Sequence, residues 1–217
     1  MAAPSPIALE PRKQPHQARA QATLDAIFEA TIQVLLAEGL QRLTTLRVAE
    51  RAGVSVGTLY QYYPHKQALL YAVLQRHLRS VVEAVERAAN SVHHTALATM
   101  VSTVVEAVVQ AKTKRLDEAR ALYVVGDELD SLDLMREVEK RGRAALAAML
   151  ATATDARFDD LATVTFMFAA AMSGPTRAML EGRAPRKMMH VLRGQLESLC
   201  LGYLEREARS GRRGAAS

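Results

Sequence analysis

The sequence predicts an all-α protein of about nine helices, in which three small N-terminal helices precede a longer helical bundle. Apolar residues recur at helical spacing along most of the chain, whereas no segment alternates apolar and polar residues as a half-exposed strand would. Hydrophobic residues make up 49% of the sequence, which is enough to build a sizeable core. The fold class therefore follows from the periodicity, and the composition is compatible with it.

The helices fall into segments separated by polar, glycine or proline breaks. Residues 1–18 carry no periodicity and are predicted to form a flexible basic arm, and the first helix then runs from Ala20 to the break at Gly39. Two short helices follow at Thr45–Ala52 and Val56–Tyr62. The longer helices are predicted at 65–89, 95–112, 116–126, 132–153, 158–182 and 185–208. In terms of domains, we expect a unit of short helices at 19–66, a longer helical domain at 67–209 and a disordered basic tail at 210–217.

Charge and targeting patterns restrict the class of protein further. The formal net charge of +5 makes an anionic partner plausible, although excess charge also serves solubility alone. No apolar run is long enough to span a bilayer, and the N-terminus lacks the pattern of a signal peptide, so we expect a cytoplasmic protein without membrane contact. Cys200, the single cysteine, is interpreted as a small core residue, with a reactive thiol as the alternative.

Patterns that would indicate an enzyme or a bound cofactor are absent from the sequence. Neither a GxGxxG nor a GxxxxGK phosphate loop occurs, and no Ser-His-Asp set can be argued. His93 and His94 are adjacent and therefore lie on different helix faces, and the other histidines have no i, i+4 partner, which disfavours a metal site. We accordingly predict a protein that is not an enzyme and has no cofactor and no metal.

The stretch TTLRVAERAGVSVGTLYQYY has the pattern of a helix-turn-helix. Gly53 follows the first short helix, at a position where glycine adopts the left-handed conformation most easily. Thr44 or Thr45 is suited to cap the first helix, and Ser55 the second. In a helix-turn-helix the second helix enters the major groove of DNA, where hydroxyl-bearing and glycine positions allow contact with phosphates and bases. Leu59 and Tyr63 are expected to face the core with Phe28.

Residues Gly39 to Leu70, GLQRLTTLRVAERAGVSVGTLYQYYPHKQALL, resemble the DNA-binding domain of the TetR/AcrR family of bacterial transcriptional regulators. The resemblance implies that 19–66 form the DNA-binding domain and that 67–209 form a helical effector-binding and dimerisation domain with a ligand pocket. It also implies a homodimer and repression that a small molecule relieves. Carried onto this sequence, the DNA contacts of the family fall on Thr45, Leu46, Ser55, Val56, Gly57, Thr58, Tyr60, Tyr62 and Lys66. Because Leu46 and Val56 are apolar, few hydrogen bonds to base edges are expected.

The C-terminal part offers apolar stripes from which we predict a pocket and an interface. The ligand-binding candidates are His77, Met100, Val104, Tyr123, Val138, Phe166, Met172 and Arg177. His77 has a satisfied core histidine as its alternative reading, and Arg177 a surface position. The last two helices are expected to pair with those of a second copy through Leu161, Phe168, Met179, Leu192, Leu196, Leu199 and Tyr203. Pro175 is expected to kink or break its helix.

The function predicted from these features is that of a dimeric TetR-like repressor, which binds a palindromic operator and is released by a small, mainly apolar ligand. The partners are therefore duplex DNA, a lipophilic or aromatic effector and a second copy of the chain. Two alternatives remain open, a DNA-binding protein with no effector and a helical ligand-binding protein that has lost DNA binding. The arm with Arg12, Lys13 and Arg19 either reaches a minor groove or stays a solvated tail.

Overall fold

The computed structural model describes residues 18–129, 131–182, 184 and 187–214, and within these ranges it describes no side chain for Ala18, Met189 and 209–214. The described residues form nine α-helices and no strand, which confirms the predicted all-α fold. The helices are α1 Ala18–Glu38, α2 Thr45–Ala52, α3 Val56–Tyr62, α4 Lys66–Ser91, α5 Leu97–Thr113, α6 Leu116–Glu128, α7 Leu132–Leu150, α8 Leu161–Leu180 and α9 Met188–Gly214.

The first of two compact units contains the described residues up to His77 together with Asp117–Ser131. Its core is formed by large aliphatic side chains from α1, α3 and α4, among which Ile27, Leu59 and Leu69 are fully buried. Thr31 is buried beside them without an unpaired hydroxyl, since its Oγ1 donates to the carbonyl oxygen of Ile27 at 2.7 Å. This core holds α2 and α3 in place, because α2 packs against both α1 and α3.

The second unit contains Leu78–Leu116 and the described residues from Leu132 onward. Helices α5, α7, α8 and α9 pack around a core in which Val104, Leu146, Phe168 and Leu196 are almost completely buried. Cys200 is buried in the same core as a free cysteine, and its burial raises the pKa of the thiol to about 11. The thiol is therefore a packing group, as the sequence predicted.

Two features differ from the sequence-based predictions. The arm at 1–18 lies outside the described residues except for the backbone of Ala18, whereas the predicted tail at 210–217 is helical up to Gly214, because each residue added to an existing helix costs little. Of the kink or break expected at Pro175, the break does not occur, and α8 continues through it. Proline removes only one backbone hydrogen bond, and the buried side chains of Met172, Thr176 and Met179 on either side keep α8 in the core.

The two compact units also divide the chain differently from the predicted segments. The sequence places a boundary between residues 66 and 67, at the start of α4, whereas the first unit continues along α4 to His77 and includes Asp117–Ser131. Within this unit, Gly126 of α6 approaches Leu74 so closely that an added Cβ would lie 3.7 Å from the leucine side chain. The unit boundary differs from the predicted one because segments distant in sequence pack together, and periodicity within one helix does not reveal such packing.

Candidate DNA-binding surface and helical-domain core

The turn between α2 and α3 is fixed by two capping side chains and one glycine. Thr44 accepts a hydrogen bond from the backbone N–H of Arg47 at the start of α2, and Ser55 accepts one from the N–H of Thr58 at 2.9 Å at the start of α3. Gly53 ends α2 with a φ of 67°, in the left-handed region, and the N–H of Val54 reaches back to the carbonyl oxygen of Ala49. Capping by Ser55 and the role of Gly53 follow the predicted pattern, and of the two threonines it is Thr44 that caps α2.

All nine predicted DNA-contacting residues lie at the surface of the first unit. Leu46 is 53% exposed and Tyr60 is 42% exposed, and none of the other seven is buried. The two residues that the sequence assigns to the core instead, Leu59 and Tyr63, are 0% and 2% exposed. Helical spacing along α3 thus separates the residues facing solvent from those facing the core.

Tyr63 is held in the core by aromatic contact. Its ring centroid lies 5.9 Å from that of Phe28, and Arg76 lies over the Phe28 ring, 5.2 Å from the centroid. Burial raises the pKa of the Tyr63 hydroxyl to about 12, so this phenol is neutral at any physiological pH. The neighbouring Tyr62 remains partly exposed, which divides the pair of tyrosines between surface and core.

Hydrogen bonds between surface side chains hold several of the predicted DNA-contacting residues in position without DNA. The hydroxyl groups of Thr45 and Tyr60 are 3.0 Å apart and connect the start of α2 with the exposed face of α3. The hydroxyl groups of Ser55 and Thr58 are 2.8 Å apart at the N-terminus of α3. Each hydroxyl that takes part in such a pair keeps capacity for another partner, so the same groups remain able to bind phosphate oxygens.

Lys66 is bound within the protein, which the sequence did not indicate. Its ammonium nitrogen donates to the backbone oxygen of Leu40 at 2.6 Å and so fastens the loop between α1 and α2 to the start of α4. An ammonium group carries three N–H donors, and the remaining two are still able to reach a phosphate. Lys66 therefore has a structural contact in addition to the predicted role.

Three arginines, two on α2 and one in the loop before it, were not among the predicted DNA-binding residues. Arg42, Arg47 and Arg51 line an open surface depression of about 610 Å³ together with Glu38 and Glu50. Arg47 forms an ion pair with Glu38, so part of the positive charge is neutralised on the protein itself. Their spacing in the sequence, at RLTTLRVAER, was visible, but only the fold shows that they gather at one place.

The predicted ligand-binding residues do not form one group. Met100, Val104 and Met172 share the core of the second unit, and Val138 lies partly buried on α7. Phe166 and Arg177 do not join them: Phe166 is 55% exposed, and Arg177 pairs with Glu181 at 2.7 Å on the surface. The helical period is the reason, since the buried face of α8 consists of residues 164, 165, 168, 172, 176 and 179.

The two other ligand-binding candidates, His77 and Tyr123, belong to the first unit. Nδ1 of His77 lies 3.8 Å from a carboxylate oxygen of Glu118, which is a contact between α4 and α6. Both side chains are mostly buried. A histidine placed against a carboxylate agrees with the reading of His77 as a satisfied core residue.

The predicted interface residues are mostly internal to the protomer. Phe168, Met179, Leu192 and Leu196 are 0–3% exposed in the single chain, so the burial of these four side chains requires no partner. Leu161 and Tyr203 are half-buried, and Leu199 is 52% exposed. An apolar stripe indicates that a helix face is covered, but the stripe alone does not show whether the same chain covers it.

Lys112 is a charged residue of the second unit that the sequence analysis did not single out. The surroundings of its ammonium group are unusual for a charge. Its Nζ donates to the hydroxyl oxygen of Thr176 at 2.9 Å, across from α5 to the buried face of α8. Burial lowers the pKa of this ammonium group to about 8. In the sequence AKTKR the lysine resembles a solvated charge at a helix end, and no local pattern distinguishes it from Lys114.

The described residues contain no group of three or more His, Cys, Asp or Glu side chains arranged to hold a metal ion. No helix in the described part of the chain is long and apolar enough to cross a membrane.

A capped helix-turn-helix with a polar, solvent-facing second helix, in a chain that also carries a separate all-helical unit, defines the class of helical DNA-binding regulators. Residues 27–73 match the family described as bacterial regulatory proteins, tetR family. Residues 96–204, half of the chain, match the tetracyclin repressor-like C-terminal domain. The chain belongs to the TetR family of transcriptional regulators, which are DNA-binding transcription factors rather than enzymes.

Individual relatives match parts of the chain. The nucleoid occlusion factor SlmA of Haemophilus ducreyi is 42% identical over 76 residues, which are 33% of this chain and 36% of that protein. The HTH-type transcriptional repressor KstR of Mycolicibacterium smegmatis is 40% identical over 63 residues, which are 29% of this chain and 31% of that protein. The chain thus spans about a third of the length of these two relatives.

The fold extends beyond these local matches. A TetR-family transcriptional regulator from Mesorhizobium loti MAFF303099, solved by crystallography, superposes with a TM-score of 0.69 at 15% identity. The match covers 87% of this chain and 98% of that one. At this identity the likeness is one of fold.

Proposed function

We propose that the chain acts in the bacterial cytoplasm as a dimeric repressor that binds a palindromic operator and leaves it when a small ligand occupies the helical unit. The observation that carries DNA binding is the exposed surface of α2 and α3, where the hydroxyl groups of Thr45 and Tyr60 hold each other in position and Ser55 caps α3 beside the hydroxyl group of Thr58. Repression is supported by the transcriptional repressor KstR, which is 40% identical to this chain over 63 residues.

On DNA, α3 is proposed to enter the major groove and to bind mainly through hydroxyl groups and backbone. Tyr60 and Thr45 supply donors for phosphate oxygens at one end of the surface, and Thr58 supplies another near the helix N-terminus. Gly57 leaves the backbone of α3 open to a close approach. The hydroxyl groups of this surface bind the phosphate backbone. Its apolar residues, Leu46 and Val56, offer methyl contacts to thymine instead of hydrogen bonds to base edges.

The dimer is proposed to form through the exposed faces of α8 and α9. Phe166 on α8 and Leu199 on α9 are each more than half exposed. The same helices contain Gly174, Gly194 and Gly202, and a Cβ added at any of them would meet nothing within 4 Å. Large apolar side chains beside small ones on a solvent-facing helix fit a close helix–helix contact with a second copy. Two copies would place their recognition helices about 34–36 Å apart, one turn of DNA.

Substitutions on α3 test this proposal without disturbing the fold. Gly57 has ordinary φ, and a Cβ there would contact only Ser55 Oγ at 3.7 Å, so Gly57→Ala is expected to leave stability unchanged or raise it by up to about 1 kcal/mol. It should nevertheless lower DNA affinity at least about tenfold, since the added methyl group occupies the approach path. Tyr60→Phe should weaken binding to operator and random duplex alike because it removes a donor to phosphate, and it should leave the salt dependence unchanged because it removes no charge.

The measurement is fluorescence anisotropy with an operator selected from random duplexes, at several salt concentrations, with urea unfolding of each variant alongside. Lys140→Ala, which truncates an exposed side chain on α7 outside the proposed DNA-binding residues, is the control variant and should bind as the parent does. If Gly57→Ala is as stable as the parent and binds DNA equally well, α3 does not make the proposed approach. Equal affinity for operator and random duplex would favour the alternative of a sequence-tolerant DNA-binding protein.

A further inference from the structure

Lys112 stands in the second unit with its charged group turned towards the interior. It lies in the last turn of α5, and its Nζ donates at 2.9 Å to Thr176 Oγ1, which belongs to a residue with no exposed surface. The Thr176 hydroxyl proton is directed to the carbonyl oxygen of Met172 at 2.9 Å, so Thr176 serves Lys112 as an acceptor. Met172 and Met179, one turn to either side of Thr176, are buried.

The positive charge of Lys112 has no counter-charge in the described part of the chain. Thr176 is its hydrogen-bond partner there, and two of the three N–H donors of the ammonium group are left over. Desolvation by burial is the cause that lowers its pKa from 10.5 to about 8, and no carboxylate offsets it. An ammonium group in such surroundings is costly for the folded protein unless something else neutralises it.

Several acidic residues on α5 and on other helices of the second unit form ion pairs with arginines and not with Lys112. Pairs connect Glu106 of α5 with Arg193 of α9, Arg177 with Glu181 at the end of α8, Arg141 of α7 with Glu86, and Arg143 with Glu139 within α7. Lys140 of α7 is exposed. None of these acids reaches Lys112, so two N–H donors of its ammonium group are available to an anion that comes from outside the chain.

We propose that the second unit binds an apolar organic acid whose carboxylate accepts hydrogen bonds from the ammonium group of Lys112. The inference rests on the proposed function and specifies its effector: the ligand is an apolar molecule that carries one acidic group. A single ammonium group among apolar side chains matches a singly charged head, whereas a phosphate dianion requires more donors. The methionines on either side of Thr176, Met172 and Met179, are unbranched and able to repack around an apolar body.

The test compares acids with their neutral amides on the whole chain. Decanoate and 1-naphthoate serve as probes, each against its primary amide, with binding measured by isothermal titration calorimetry. The parent is expected to bind at least one acid about tenfold more tightly than its amide near pH 7. This preference should fall by up to about tenfold per pH unit above the pKa of Lys112, because the deprotonated amine no longer attracts the carboxylate.

Three variants connect that preference with Lys112. Lys112→Met, which removes the charge but keeps the volume, should abolish the preference for the acid and leave amide binding unchanged. Lys112→Arg should keep the preference and make it independent of pH up to about pH 10, because guanidinium does not deprotonate there. Lys114→Met, the same change at an exposed lysine two residues on, is the matched control and should behave as the parent does.

The outcomes separate this inference from the proposed function. If neither acid binds, if the parent binds acid and amide equally, or if Lys112→Met keeps the preference, the assignment of Lys112 is wrong. Operator affinity, measured on the same preparations without any acid, tests DNA binding independently. If the chain prefers acids through Lys112 but does not bind operator DNA, this inference is correct and the proposed repressor function is wrong. If the chain binds operator DNA but shows no preference for acids, the proposed repressor function stands and this inference is wrong.

Discussion

At the scale of single residues, position in the fold decides what a charge or a hydroxyl group contributes. Lys112 and Lys114 are two residues apart, yet one ammonium group donates to a buried threonine and the other residue is exposed. Ser55 and Thr58 both carry hydroxyl groups at the start of α3, and one of them caps the helix through the N–H of the other. The same residue type therefore gives a structural or a functional group depending on its neighbours.

The lowered pKa of Lys112 predicts how stability depends on pH. Between about pH 8 and its ordinary pKa of 10.5, the unfolded chain holds a proton on Lys112 that the folded chain has released. The free energy of unfolding should therefore gain a rising contribution as pH increases through this window. Below about pH 8 both states are protonated, and the full cost of burying the charge, on the order of 3 kcal/mol at most, destabilises the fold.

Urea unfolding of the parent and of Lys112→Met at a series of pH values measures this contribution. Near pH 7 the variant should be the more stable one, and the difference should shrink as the pH rises towards 10. The comparison cancels other groups that titrate in alkali, such as Cys200, whose pKa is raised to about 11 by burial. A variant less stable than the parent near pH 7 would show that the bond to Thr176 outweighs the cost of burial.

At the scale of helices, local signals predicted what local interactions determine. The caps at Ser55 and Gly53 and the division of α3 into a core face and a solvent face depend on residues within one turn, so the sequence indicated them. The contact of Lys112 with Thr176 joins residues 64 positions apart, and no periodicity within α5 or α8 encodes it. Spacing alone identifies the apolar stripe on α9, but it does not reveal that Leu192 and Leu196 pack inside their own protomer while Leu199 is exposed.

The exposed faces of α8 and α9 lead to a prediction about assembly. If the proposed dimer forms there, a charge introduced at Phe166 or Leu199 must be buried against the second copy, which costs several kcal/mol without a partner. Phe166→Glu and Leu199→Glu should each shift the protein from dimer to monomer in analytical ultracentrifugation. Leu132→Glu supplies the control, because Leu132 is an equally large, 63% exposed residue on α7.

In this comparison, helical content by circular dichroism should be the same for all three variants, since none of these side chains belongs to the protomer core. A dimer that persists in both Phe166→Glu and Leu199→Glu would place the interface elsewhere. A monomer produced equally by Leu132→Glu would mean that added charge, rather than its position, causes dissociation.

At the scale of the whole molecule, a repressor released by a ligand must couple two binding sites, and the coupling is reciprocal. If an acid bound at Lys112 lowers the affinity for operator DNA by some factor, operator DNA must lower the affinity for the acid by the same factor. The factor equals the differential affinity of the acid for the two states of the protein, so tight binding alone predicts no release. Coupling of about 1–3 kcal/mol, or roughly 5- to 150-fold, is the usual range.

Two titrations on one preparation test this reciprocity. Operator affinity is measured with and without saturating decanoate or 1-naphthoate, and acid affinity is measured with and without saturating operator, at the same salt concentration. We expect equal factors in the two directions, and a factor of one for Lys112→Met, whose affinity for operator alone should match that of the parent. If the acid binds through Lys112 but both factors equal one, the acid occupies a site that does not control DNA binding, and the effector of the repressor binds by other contacts.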